Sequence, residues 1–306
     1  MLRASFLYLS HRRGLQRFVT RQRLTSALAY RFVAGDRLDD AVRAVTELNR
    51  RGWSASLDHL GENVTEEKAA RSATEDYLAA FERIASERMN ANVSVKLTQL
   101  GLDISADLCR ELLMRIVQRA QQLDNFVRID MEGSAYTQRT LDLVLELHGQ
   151  YPNCGVVLQS YLYRTAADVA RVNAAKVRVR LVKGAYDEHA AIAFRKRSEV
   201  DAAFQSLAVL MLPQAAAGEL RLGLGTHDLV LIERIAEYAT SAGHPKTCFG
   251  VQMLYGIRAR DQIRLADGGY KVRALISYGE AWYAWYLRRL AERPANVMFA
   301  LRQLLP

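Results

Sequence analysis

The sequence predicts an α/β protein built as a distorted (β/α)8 TIM barrel with extra N-terminal helices, and three observations carry that prediction. Eight β-rich runs start roughly 20–45 residues apart along the 306 residues. Longer stretches of helical period follow them, the repeat of strand-plus-helix units. No linker rich in Pro, Gly or Ser divides the chain, so the units share one core. The predicted division is an N-terminal helical arm over 1–51 and a barrel catalytic domain over 52–306.

Three helices come first, at about 3–18, 21–32 and 37–51, from apolar residues at helical spacing. The strand candidates are Trp53–Leu57, Asn92–Leu97, Phe126–Met131, Gly155–Gln159, Val177–Val182, Leu220–Gly225, Phe249–Met253 and Tyr270–Ile276. Helical intervals include Glu66–Arg88, Ala106–Leu123, Gln138–His148, Phe204–Ala217, Leu229–Ala242 and Glu280–Leu290. Breakers such as Gly61, Gly101, Gly133, Pro152, Gly184, Gly243 and Gly279 fall between them.

Composition excludes several classes. Hydrophobic residues make up 50% of the chain, enough for a large core and too many for a disordered one. No apolar run approaches the length that crosses a bilayer as a helix. Three cysteines, Cys109, Cys154 and Cys248, lie far apart without a CxxC, which fits a reducing compartment and a cytoplasmic location. The net charge is +9, and residues 1–35 hold seven arginines and no acid, so the excess is local. That segment reads as a folded amphipathic helix in preference to a cleaved transit peptide. Its arginines suggest peripheral contact with anionic lipid at the inner membrane. A nucleic-acid-binding protein is the other reading of the charge, but no RNP-like motif or separate basic domain supports it.

The strands themselves point to a site. Val93, Val95 and Leu97 alternate with Ser94, Lys96 and Thr98, and Val127, Ile129 and Met131 with Arg128, Asp130 and Glu132. Val177, Val179 and Leu181 alternate with Arg178 and Arg180 in the same way. The outer face of a barrel strand must be apolar to meet its helix, so the charged set faces the lumen. Buried charges must then pair with one another or with a ligand. Reading the strand ends in order gives Asp58, Lys96, Asp130, Gln159, Arg180 with Lys183, Thr226 with His227, Gln252, and Tyr278. Such a cationic, donor-rich rim suits an anionic substrate or a phosphorylated cofactor. Arg288 and Arg289 follow on the last helix. Gly223-Leu-Gly225 lacks the third glycine of a dinucleotide fingerprint, and no Walker loop, HExxH or GxSxG occurs. No metal is expected.

Seven motifs, taken together, resemble the flavin-dependent proline dehydrogenases. They are VSVKLTQLGLDIS (93–105), VRIDMEGS (127–134), GVVLQSYLYRT (155–165), VRLVKGAY (179–186), GTHD (225–228), FGVQMLYGIR (249–258) and WYLRRLAERPANVMF (285–299). The similarity is to the short, single-function bacterial form, since the chain has no room for an aldehyde dehydrogenase domain. It implies non-covalent FAD at the barrel mouth, hydride transfer from C5 of L-proline to flavin N5, 1-pyrroline-5-carboxylate as product, and a membrane quinone as electron acceptor. It also implies residue roles. Lys96 and Asp130 would line the proline site, with Asp130 and Met131 beside the flavin and Arg288 and Arg289 clamping the substrate carboxylate. Leu254 and Tyr186 would approach the proline ring. Gln159 and Arg180 would meet the isoalloxazine, the run Val182, Lys183, Gly184, Ala185 and Tyr186 would wrap the cofactor, and Arg197 would reach its pyrophosphate. Thr226, His227, Gln252 and Glu292 would contact the rest. Glu62 would pair with Arg288 as a gate.

An ion pair between Lys96 and Asp130 would keep the lysine charged and disfavour a second cation, which helps keep the substrate amine deprotonated. One departure concerns selectivity. Leu275 stands where many relatives place a tyrosine over the proline ring, so a substituted proline such as hydroxyproline is an alternative substrate. A rival of another class is a Schiff-base barrel aldolase using Lys96 or Lys183 as a neutral amine.

Overall fold

A computed structural model of the chain describes residues 30–282. The helices expected over 3–18 and most of 21–32 lie outside these residues, as do nearly all of the helix expected over Glu280–Leu290 and the residues Arg288, Arg289 and Glu292. The described chain runs α1 (Leu38–Arg50), β1 (Ser54–His59), α2 (Glu67–Ser86), β2 (Ala91–Val95), α3 (Ala106–Gln122), β3 (Val127–Ile129), α4 (Ser134–His148) and β4 (Cys154–Gln159). It continues through α5 (Thr165–Ala174), β5 (Arg178–Val182), α6 (Arg197–Ala216), β6 (Leu222–Gly225), α7 (Leu229–Ser241), β7 (Phe249–Leu254), α8 (Ala259–Asp267) and β8 (Lys271–Tyr278). The eight strands form a closed parallel barrel in sequence order, as the spacing predicts.

Closure comes from β1 against β8, paired in register from Ser54↔Arg273 to His59↔Tyr278. This pairing carries both strands two residues beyond their predicted ends, and Tyr278 becomes the last residue of β8. β3 is shorter than predicted, yet the Asp130 amide still donates to the Val95 carbonyl at 2.9 Å, which fixes the height of Asp130 in the lumen. Helices α4 and α6 begin earlier than the apolar period suggests, because their first turns are polar. The short α5 and α8 bury only a few residues each.

Each outward strand face is apolar, since it must meet helices. Val93, Val95, Val127, Ile129, Val179 and Leu181 are buried in one continuous core with Tyr77, Phe81 and Ile84 of α2 and Phe204 and Met211 of α6. Burying one such large side chain contributes about 2–3 kcal/mol. Helix α1 adds Ala41, Val45 and Leu48 to the same core. At one place the close packing requires glycine: a Cβ on Gly256 (φ +73) would overlap the Arg31 carbonyl, so the chain before α1 lies directly against the turn after β7. No described helix is long and apolar enough to cross a membrane.

Candidate active site

The inward strand faces carry the charge predicted for them, and the structure shows how it is arranged. Arg180 of β5, 5% exposed, extends across the lumen. Its Nε donates to Gln252 Oε1 of β7 at 2.6 Å, and Nη1 meets Asp130 Oδ1 at 3.2 Å. Its Nη2 donates to Ser94 Oγ of β2 at 3.1 Å and Ser56 Oγ of β1 at 3.4 Å. One guanidinium therefore fixes side chains on four other strands.

Lys96 differs from expectation. Its Nζ lies 2.7 Å from Asp58 Oδ1 of β1, with the two side chains 12% and 4% exposed, whereas Asp130 takes Arg180 as its ion-pair partner. The predicted Lys96–Asp130 pair is thus replaced by Lys96–Asp58, with Asp130 near enough to act on the lysine by charge alone. The physical reason is that Lys96 lies between a carboxylate on each side, and Arg180 claims one of them. Asp58 Oδ2 also accepts from Ser277 Oγ at 3.1 Å. Burial disfavours the Asp58 carboxylate, but the charge and hydrogen bond of Lys96 and the Ser277 hydroxyl outweigh it and hold its pKa below the usual range. Burial disfavours the Lys96 cation too, yet Asp58 and then Asp130 raise its pKa above that of a free lysine. Asp130 shows the opposite balance: burial raises its pKa, and Arg180 and Lys96 only partly offset this. Asp58 is a strand-end residue in the sequence, but nothing in the sequence alone marks it as the partner of Lys96.

Gln159 donates from Nε2 to the Glu132 carbonyl at 2.9 Å. The Glu132 carboxylate accepts from the Thr98 amide at 3.1 Å and hydroxyl at 2.6 Å, which ties the β3 and β2 ends together. Met131 is buried in the apolar core. At the β5 end, Gly184 has φ +112, and a Cβ there would overlap the Tyr161 ring, so the run through Val182, Lys183, Gly184, Ala185 and Tyr186 can follow this path only with glycine at its centre. Glu188 anchors the same loop by accepting from the Ser134 amide at 2.7 Å and from its hydroxyl, at the start of α4.

A second cation cluster lies beyond β5 and β6. Lys183 Nζ is 2.5 Å from Asp201 Oδ1 and 2.9 Å from Asp228 Oδ2. Arg197, 72% exposed, reaches the same two carboxylates at 3.5 and 3.2 Å. Thr226 Oγ1 accepts from the Asp228 amide, and Asp228 caps α7 by accepting from the Leu231 amide. Asp228 stands in the GTHD motif, but its link to both cations was not foreseen. His227 Nε2 accepts from the Leu254 amide at 3.0 Å, so the ring carries its proton on Nδ1 and holds the end of β7 in place. Leu254 and Leu275 are register partners, both half-buried. Leu275 shares its face of β8 with Ser277, whose hydroxyl reaches Asp58, so both leucines look into the lumen. Tyr278 turns the other way and stacks on His59, with ring centroids 5.1 Å apart.

Between β5 and β7, two glycines of β6 leave room for the side chains of their neighbours. Gly223 and Gly225 present bare backbone inward; a Cβ at Gly223 would overlap the Gln252 amide, and one at Gly225 would come 2.7 Å from Val182 Cγ1. Glycine at these two positions is what lets Gln252, Val182 and the stem of Arg180 pack across the lumen against the β6 backbone. Among the described residues the structure brings together Lys96, Asp130, Arg180 and Gln252, and places Leu254 beside Leu275. Glu62 lies half-buried after β1, and its expected partner Arg288 is outside the described residues.

Residues 41–302 match the proline dehydrogenase family. Proline dehydrogenase 1 of Bacillus subtilis (strain 168) is 40% identical over 305 residues, covering 100% of this chain and 99% of that protein. Proline dehydrogenase of Deinococcus radiodurans is 35% identical over 283 residues, covering 91% and 90% of the two chains. Among solved structures, proline utilization A (PutA) from Bdellovibrio bacteriovorus, inactivated by N-propargylglycine, superposes with a TM-score of 0.81 at 23% identity. That alignment covers 87% of this chain and 32% of the other, so the chain spans about a third of the solved protein and shares its barrel. A family match over most of the sequence, together with full-length relatives of the short form, places this chain in the proline dehydrogenase family.

Proposed function

We propose that this protein is an FAD-dependent oxidoreductase that converts L-proline to 1-pyrroline-5-carboxylate, by hydride transfer from C5 to flavin N5, with the electrons passed on to a membrane quinone. The observation that carries the reading is the Arg180-centred network at the carboxyl ends of the strands, which Gly223 and Gly225 of β6 make room for. The donors fit the cofactor: Arg180, Gln159 and Gln252 suit the polar edge of an isoalloxazine, and Lys183 and Arg197 suit a pyrophosphate. Thr226, His227, the 182–186 run and the backbone of Met131 would complete the contacts, with Glu292. When bound, the flavin supplies the hydride acceptor.

The chain's own residues orient and tune. Lys96, kept cationic by Asp58, raises the cost of an ammonium beside it and so favours the neutral amine that the reaction needs. Arg180 fixes Asp130 as a second wall of the substrate site. Arg288 and Arg289 would clamp the carboxylate, and Glu62 would pair with Arg288 as a gate. The arginine-rich N-terminus would meet anionic lipid, the phase in which a membrane quinone is dissolved. An aldolase reading loses ground, because a Schiff base needs a neutral amine and both Lys96 and Lys183 are paired with carboxylates.

The visible spectrum of the purified protein tests the proposal: a yellow protein bleached anaerobically by L-proline supports it, and a colourless one with a full complement of added FAD left unbound refutes it. A second reading rests on Leu275. With Leu254 beside it and Tyr278 turned toward His59, no phenol comes from β8 to this side of the lumen, which leaves space for a 4-hydroxyl group. Steady-state comparison of proline and hydroxyproline decides between the two substrates.

A further inference from the structure

The N-terminal pole of the barrel, opposite the mouth, holds a concentration of positive charge that the reaction above does not use. Arg128 of β3, 6% exposed, donates from Nη1 to the carbonyls of Val156 at 2.8 Å and Arg178 at 2.6 Å. Arg178 and Arg128 lie over the Phe126 ring, with centroid distances of 4.7 and 4.8 Å. Arg273 of β8 donates from Nη1 to the Ala55 carbonyl and to Asn92 Oδ1. Arg221, exposed just before β6, completes the group.

These partners are carbonyls, an amide and an aromatic face. Among the described residues no carboxylate forms an ion pair with Arg128, Arg178, Arg221 or Arg273. Charge is consequently unbalanced among the described residues: Asp58 is taken by Lys96 and Asp130 by Arg180, and Asp130 acts on Arg128 by charge without an ion pair. Burial lowers the pKa of Arg273 to about 10, and the further pressure comes from Arg180, Arg221 and Arg178, all of the same sign. Buried guanidinium groups are normally paired or bound to an anion, since dipoles and a ring compensate only part of a full charge. The space in front of Gly155 is filled by the Phe126 ring and the Arg128 guanidinium, whereas on the β7 side Gly250 puts no side chain into the pole and a Cβ there would meet nothing closer than 3.4 Å.

We propose that this pole is a binding site for a compact oxyanion of the phosphate or sulfate class, held by Arg178, Arg221 and Arg273 in front of the buried Arg128. Guanidinium forks converging from β5, β6 and β8 match a tetrahedral anion, which can accept hydrogen bonds from each. The site lies at the far end of the barrel from the flavin and proline positions, so it stands or falls independently of the proposed reaction.

The test uses the full chain loaded with FAD, and follows thermal unfolding in inorganic phosphate against sodium chloride at equal ionic strength. Phosphate at ten times its Kd should raise Tm by about 2–3 °C beyond chloride. Arg221 is exposed, so Arg221→Gln should fold and should weaken phosphate about tenfold, leaving a gain of less than about 1 °C at the same concentration. Arg221→Glu should supply the missing negative charge itself, raising Tm in phosphate-free buffer and removing the phosphate response. A wild-type Tm no higher in phosphate than in chloride, an undiminished response in Arg221→Gln, or a lower phosphate-free Tm in Arg221→Glu would each overturn the proposal.

Discussion

Replacing Asp58 by Asn keeps the shape of the side chain and removes the charge that meets Lys96 Nζ at 2.7 Å. The amide oxygen can still accept from Ser277, so the change isolates the ion pair. Breaking a buried pair by neutralising one partner costs about 3–5 kcal/mol, and Asp130 nearby places this case near the lower figure. The pH dependence of that loss has a definite sign. Asp58 is depressed when folded, so its contribution is present above the carboxylate range and disappears as pH falls through its folded pKa; Lys96 is raised, so its contribution disappears only at strongly alkaline pH. Urea denaturation of wild type and Asp58→Asn should therefore differ by about 3 kcal/mol from roughly pH 5 to 9, with the gap narrowing below about pH 4. Catalysis should respond separately. With Asp58 gone, burial gains on the remaining attraction of Asp130, the lysine releases its proton more readily, and the substrate ammonium is less opposed. The pH profile of anaerobic flavin bleaching by proline should move up by about one unit, which corresponds to about 1.4 kcal/mol. Asp58→Glu should restore part of both effects. If Asp58→Asn lost less than about 1 kcal/mol and its pH profile overlaid the wild type, the reasoning from the Lys96–Asp58 pair would be wrong.

Arg180→Gln should release the flavin at least about tenfold more readily, because it removes a charged donor from Asp130 and Gln252 together; fluorescence titration with FAD measures this. Gly184→Ala should place a methyl group into the Tyr161 ring at a positive φ, costing about 2 kcal/mol or more of stability or displacing the loop, which urea unfolding and flavin content report together. Leu275→Tyr should lower the hydroxyproline-to-proline ratio of kcat/KM about tenfold by filling the side of the lumen beside Leu254, with proline itself changed less.

The strands were legible in the sequence because a barrel strand must be apolar outward, and Val93, Val95, Val127 and Ile129 leave their neighbours no other direction. The same alternation assigns Lys96, Asp130 and Arg180 to the lumen and puts Leu275 and Tyr278, three residues apart, on opposite faces. Alternation gives direction and says nothing of height. Which carboxylate meets Lys96 depends on the stagger between β1, β2 and β3 and on Arg180 arriving from β5, so Asp58 was named without its partner. Asp228 was missed as a partner of Lys183 and Arg197 because that link joins separate βα units, Asp201 because the polar start of α6 reads as loop, and Arg273 because a single arginine in a strand of mixed character carries no pattern. The motifs located the mouth more sharply than any periodicity did.

A single guanidinium tethered like the hub of a wheel to β1, β2, β3 and β7 constrains how the barrel can come apart. Releasing any one of those strands strands a charge in the interior, so the staves cannot loosen one at a time. Amide protons throughout that ring should exchange with solvent on a single shared timescale, making the mouth a rigid frame on which only the surrounding loops are free to breathe.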